Sequence, residues 1–139
     1  MPYDIIIGRD KSDKIKFGEK GLAYIGKGYV KMGNYTSLSN LIWLDVARSH
    51  VIMIAGKRGS GKSYTLATIA EELCDLPEEI SQNIAPLIFD TMGIFWTMKY
   101  KNEKDSELLQ EWNLKPKHLP VAIWAPYGFY KEYETRQIP

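Results

Sequence analysis

The sequence predicts an α/β fold, with an incomplete parallel sheet flanked by helices and a small barrel-like β module ahead of it. Three observations predict it. Short apolar strands punctuated by glycine fill the first 45 residues. From about residue 48 apolar runs alternate with helical patterns, the order of a parallel sheet. A glycine-rich phosphate-loop pattern stands where the first of those runs meets the first helix.

In the β module, residues 1–46, Ile5-Ile6-Ile7 is a β-branched run closed by Gly8. Lys14-Ile15-Lys16-Phe17 alternates polar and apolar as a half-buried strand would. Tyr24-Ile25 and Tyr29-Val30 read as separate short strands among Gly21, Gly26, Gly28 and Gly33, and Leu41-Ile42-Trp43-Leu44 as another. The second part, residues 47–139, opens with Val51-Ile52-Met53-Ile54-Ala55, a continuous apolar run suited to a strand buried on both faces. Residues 64–73 follow as a helix, with Leu66, Ile69, Ala70 and Leu73 on one face and Pro77 beyond its end. Leu87-Ile88-Phe89 and Val121-Ala122-Ile123-Trp124 are two further buried strands, with a short helix over residues 106–112 between them. Only 76 residues follow Ser63, and no helix follows the last strand in the tail to Pro139, so the chain is expected to be part of a longer protein.

Composition excludes several classes. No apolar run approaches the roughly 20 residues of a membrane span, and the N-terminus has no basic leader before an apolar stretch. No membrane partner is expected. A single cysteine, Cys74, rules out an internal disulfide framework and suits a reducing cytoplasm; it is expected as a small buried residue on a helix. The net charge of +1 gives no global footprint for nucleic acid.

Gly56-Lys57-Arg58-Gly59-Ser60-Gly61-Lys62-Ser63 matches G-x-x-x-x-G-K-[ST] in full. Glycines at 56, 59 and 61 let the backbone curl until successive N–H groups face the phosphates, and the helix N-terminus adds its positive dipole end. Lys62 reaches the β- and γ-phosphates, Ser63 puts its hydroxyl on Mg2+, and Ser60 donates a further hydrogen bond. Arg58 and Lys57 add charge beside the triphosphate or stay solvated, with Arg58 able to reach across a subunit boundary. Tyr64 packs beneath the loop or near the base.

Asp90 ends the Leu87-Ile88-Phe89 run, where a carboxylate lies close to the metal in such sheets. Three readings stand. Asp90-Thr91-Met92-Gly93 fits the D-x-x-G pattern of GTPases, although 28 positions from Lys62 leave little room for a switch loop and an extra strand, and no N-K-x-D follows. In an ATPase of the RecA-like type, Asp90 would lie on an intervening strand lining the nucleotide. No Asp-Glu pair exists anywhere in the chain, so the base that activates water is not provided here. In the third, Asp90 simply caps the next turn.

The stretch from His50 through the apolar run, the phosphate loop, Tyr64, Thr65 and Leu66 resembles the HerA-like ATPases of the HerA–FtsK superfamily. So does Leu87-Ile88-Phe89-Asp90-Thr91-Met92-Gly93-Ile94-Phe95-Trp96, beside that family's strand ending in Asp-Pro-His-Gly-Glu-Tyr. Asp90 and Gly93 match, Trp96 keeps the aromatic character, and Thr91, Met92, Ile94 and Phe95 depart. The N-terminal segment looks like part of the small barrel that precedes the ATPase core. The resemblance implies ATP as nucleotide, with Lys62 and Asp90 in catalysis, a hexameric ring, translocation on double-stranded DNA and a partner nuclease.

Other residues point elsewhere. His50 has a capping or packing place ahead of the apolar run, and His118 sits in a proline-flanked loop without a partner motif. Trp43, Trp96, Trp112 and Trp124 are spread as core residues are. A module that binds nucleotide without cleaving it is the alternative to a motor.

Overall fold

The structure is a computed structural model that describes residues 3–135. Residues 1–2 and 136–139 lie outside the described residues, and the stretch after the 121–124 run, expected to hold no helix, carries one over Tyr127–Thr135. The fold is a small α/β one, and the chain divides into two compact units, Met1–Ile88 and Phe89–Pro139.

The first unit is built on a three-stranded mixed sheet in the order β1-β3-β2. Strand β1 (Ile5–Ile7) runs parallel to β3 (Tyr35–Asp45), pairing Ile5 with Ile42 and Ile7 with Leu44. Strand β2 (Leu22–Met32) is antiparallel to β3 along its whole length, from Leu22 opposite Asp45 to Met32 opposite Tyr35. The two short strands expected around Tyr24 and Tyr29 are therefore one. Gly26 and Gly28 fall at register shifts, so they absorb bulges in a continuous ladder instead of ending it. The sheet is open, and no closed barrel forms among the described residues.

Residues 14–17 are helical, not extended. Helix α1 (Lys11–Phe17) starts at Asp10, whose carboxylate accepts the Asp13 N–H at 2.8 Å and the Ser12 hydroxyl at 2.8 Å. That N-cap outweighs a four-residue alternation, because it satisfies backbone donors that a lone strand would leave open. Ile15 stays 88% exposed, and Phe17 turns beneath the guanidinium groups of Arg9 and Arg48, 5.9 and 5.2 Å from the ring centre.

Helix α2 (Lys62–Cys74) matches the predicted helix and packs against β2. Ala70 is buried with Leu76, Ala23 and Leu44, the apolar core of this unit. Cys74, expected inside, is exposed. A four-residue helix, α3 (Glu78–Ser81), follows.

The apolar runs at 51–55, 87–89 and 121–124 are not strands. Val51 is 103% exposed and Trp124 91%. A parallel strand gains its place only from ladder partners on its edges and helices on its faces. The helix that could cover the 51–55 run lies on β2 instead, and among the described residues the strand pairings are β1 with β3 and β2 with β3 alone. The second unit holds a 3-10 turn (Phe95–Lys99), helix α4 (Ser106–Glu111) and helix α5 (Tyr127–Thr135). Leu119 is its buried anchor, its N–H donating to the Met98 carbonyl at 3.0 Å. Helix α4 is the short helix expected over residues 106–112, one residue shorter, with Trp112 at its C-cap.

A single carboxylate organises the first unit. Asp45, at the end of β3, is wholly buried and ion-paired with Arg9, whose side chain is 1% exposed. Asp45 Oδ1 accepts Arg9 Nε at 3.1 Å and the Ala47 amide at 3.1 Å, and Oδ2 lies 3.1 Å from His50 Nε2. Arg9 also donates to the carbonyls of Gly18 at 2.6 Å and Lys20 at 2.7 Å. One guanidinium thus joins the exit of β1, the end of α1, the start of β2 and the end of β3. The His50 ring rests on Gly8, where a Cβ would come within 2.9 Å of it. Arg48 pairs with Asp13 at 2.8 Å beside this network.

Burial pushes the Asp45 carboxyl up, but hydrogen bonds from Arg9, His50 and Ala47, with the Arg9 charge, outweigh it and hold the group below the ordinary carboxylate value. A depressed folded-state value stabilises above the unfolded value near 4 and loses that contribution as pH falls through the folded one. The urea midpoint is expected to be insensitive to Asp45 from neutral pH down to about 4.5, then to fall. Asp45→Asn, which strands Arg9, is expected to cost about 3–5 kcal/mol in urea unfolding at pH 7.

Candidate nucleotide site

The phosphate-loop residues lie in the first unit, between the exposed 51–55 run and α2. Gly59 and Gly61 take left-handed φ angles of 78° and 86°, conformations costly for a residue with a Cβ. They turn the chain back on itself. The Ser60 N–H donates to the Lys57 carbonyl at 3.2 Å, and the Lys62 ammonium folds over the loop to the same carbonyl at 2.8 Å. Lys57 therefore contributes its backbone, and one oxygen holds both limbs of the loop together. Gly56 faces Ser60 so closely that a side chain there would strike the Ser60 hydroxyl.

Gly61 is the N-cap of α2 and supplies no side-chain acceptor. The first hydrogen bond of the helix runs from the Thr65 N–H to the Gly61 carbonyl at 2.9 Å, seconded by the Thr65 hydroxyl at 3.1 Å. A helix start without a side-chain cap presents its first N–H groups, and the positive end of its dipole, to an anion. Ser63 and Tyr64 occupy that first turn and are exposed, as are Arg58, Gly59 and Ser60. The structure thus gathers Gly56, Arg58, Gly59, Ser60, Gly61, Lys62, Ser63 and Tyr64 into one solvent-facing curl at a helix N-terminus.

Asp90 belongs to the second unit. Its carboxylate accepts the Met92 N–H at 3.3 Å and the Phe95 N–H at 2.7 Å, which places it as the cap of the 3-10 turn. Gly93 has a φ of 64°, and its carbonyl accepts the Trp96 indole N–H at 2.8 Å. The Asp90–Gly93 pairing in the sequence is, in this unit, the chemistry of a tight turn.

Sequence reasoning missed the Arg9–Asp45–His50 network. Its members stand apart in the chain, Arg9 after the first strand and Asp45 at the end of the third, and no motif links them. Among the described residues no cluster of His, Cys, Asp and Glu could hold a metal ion. None of their helices is long and apolar enough to cross a membrane. Compared with protein-family models, curated proteins and solved structures, the chain matches none.

Gly61→Ala is expected to cost about 1–2 kcal/mol, from the left-handed conformation alone, with the loss read from urea unfolding. The same change at the exposed Gly128, within α5, should be neutral or mildly stabilising, because α5 is helical there.

Proposed function

We propose that the chain binds a nucleoside triphosphate, ATP with Mg2+, at the loop of residues 56–63. The observation that carries the reading is the loop itself: a complete motif, two left-handed glycines, a lysine folded over the curl, and an uncapped helix start behind it. In the bound state the amides of Gly59, Ser60, Gly61 and Lys62 cradle the phosphates. Lys62 exchanges the Lys57 carbonyl for phosphate oxygens, neutralising charge that develops towards the γ-phosphate. Ser63 supplies a hydroxyl to Mg2+, and Arg58 adds a cation at the rim.

The wider reading is a RecA-like P-loop ATPase in which the 51–55 and 87–89 runs become strands of a parallel sheet and Asp90 lines the nucleotide site. Resemblance to the HerA-like ATPases supports it, and with it a cytoplasmic hexameric ring that translocates double-stranded DNA alongside a nuclease. Two observations favour a second reading, nucleotide binding without cleavage. The chain has no Asp-Glu pair, and the Asp90 carboxylate is engaged by two backbone amides.

Mg-ATP binding by titration calorimetry tests the first reading. Lys62→Ala is expected to weaken affinity about 10- to 100-fold, the loss of one charged hydrogen-bonding group, while unchanged affinity contradicts it. ATP is expected to bind more tightly than GTP. Turnover of ATP stimulated by duplex DNA, measured on the same chain, separates the motor from the binding module.

A further inference from the structure

We propose that the outer edge of β2, from Lys27 to Met32, takes up an extended strand of a partner polypeptide in which acidic and apolar side chains alternate. The proposal goes beyond the triphosphate reading and does not rest on it.

Strand β2 ends the sheet, with β3 on one side and no strand on the other among the described residues. An edge strand leaves a row of backbone N–H and C=O groups without ladder partners, and an added strand satisfies them. From Tyr29 to Met32 the register with β3 is unbroken, running from Tyr29 opposite Leu38 to Met32 opposite Tyr35. The two-residue turn that joins Met32 to Tyr35 begins at Gly33, whose φ of 61° suits a hairpin turn of this length. A register pinned in this way also fixes which side chains share a face.

The two faces differ. Successive residues of a strand alternate sides, so Lys31 shares one face with Tyr29, and across the ladder with Thr36 and Leu38. On that face the Tyr29 and Thr36 hydroxyls lie 3.3 Å apart. Val30 and Met32 share the other face with Ser37 and Tyr35. Lys31, Val30, Met32 and Tyr35 are exposed, and Lys31 enters no ion pair among the described residues. A flat surface laid on one face would leave the other uncovered. A strand added at the edge, about 5 Å from β2, serves both, because its own side chains alternate with the same period. Glutamate or aspartate opposite Lys31 pairs with it, while valine or isoleucine opposite Val30 and Met32 packs on them.

Charge also sorts the occupants. A second copy's β2 would bring lysine towards lysine, which is how an edge resists pairing with itself. A nucleic-acid backbone would meet Lys31 and leave Val30, Met32 and the open backbone groups without partners. The free edge of β3, from Tyr35 to Leu41, holds no charged residue that could select a strand.

Fluorescence anisotropy of a short capped peptide alternating glutamate and valine, titrated with the full chain, tests this. The peptide is expected to bind, and its counterpart with lysine in place of glutamate to bind about tenfold more weakly. Methylating the peptide's backbone nitrogens removes its ladder donors and is expected to abolish binding. Lys31→Glu should reverse the preference, weakening the glutamate peptide and strengthening the lysine one. On binding, amide hydrogen exchange should slow within residues 27–32. No binding of the glutamate peptide, equal binding of the two peptides, full binding after methylation, or protection confined to residues 35–41 overturns the proposal. Should Lys31→Glu fail to fold, the peptide comparisons on the wild-type chain decide alone. Retention of duplex DNA but not of the peptide, lost in Lys31→Glu, overturns it in favour of a nucleic-acid surface.

Discussion

The first unit depends on one buried carboxylate. An isolated ionised Asp45 in that position would carry a desolvation cost of several kcal/mol, and it is tolerated because each oxygen has a donor. The arrangement fixes topology as much as energy. Arg9 reaches Asp45 only if β1 lies beside β3, and its remaining N–H groups reach Gly18 and Lys20 only if α1 folds back between the strands. Replacing the pair with apolar residues need not lower stability. It would remove the one set of contacts that ties four chain segments to a single point.

That point also bears on the site. His50 closes the network on one side and is the last residue before the exposed run that leads into the loop. On the far side of the loop, α2 packs on β2. The loop is therefore suspended between two attachments to the same sheet. Its curl comes from its own glycines and from the Lys57 carbonyl, contacts all within six residues. A curl of this kind needs only short-range instructions, which is why it forms although the apolar run before it has no ladder.

Legibility in the sequence follows the same division between local and distant causes. The loop, helix α2 and the short helix at 106–111 were readable, because motif, apolar periodicity and caps are written within a few residues. Ile5–Ile7 and the apolar half of β3 were readable as β-branched and aromatic runs. Residues 14–17 misled because alternation over four residues is weaker than the Asp10 cap, and the cap residue stands outside the pattern. Gly26 and Gly28 read as breaks because a bulge and a turn use the same residue. The 51–55, 87–89 and 121–124 runs were read for their composition, yet a strand exists only through its neighbours, which no single run encodes. The Arg9–Asp45–His50 network joins residues 36 and 5 positions apart and has no local signature.

The proposed triphosphate site rests on backbone amides that should be protected only when an anion occupies the curl. Amide hydrogen exchange of the intact chain, with and without Mg-ATP, reads those groups one by one. The account predicts slowed exchange at Gly59, Ser60, Gly61, Lys62 and Ser63, with little change in β2 and β3. Unchanged exchange across the loop at saturating Mg-ATP, or protection confined to other segments, would contradict it.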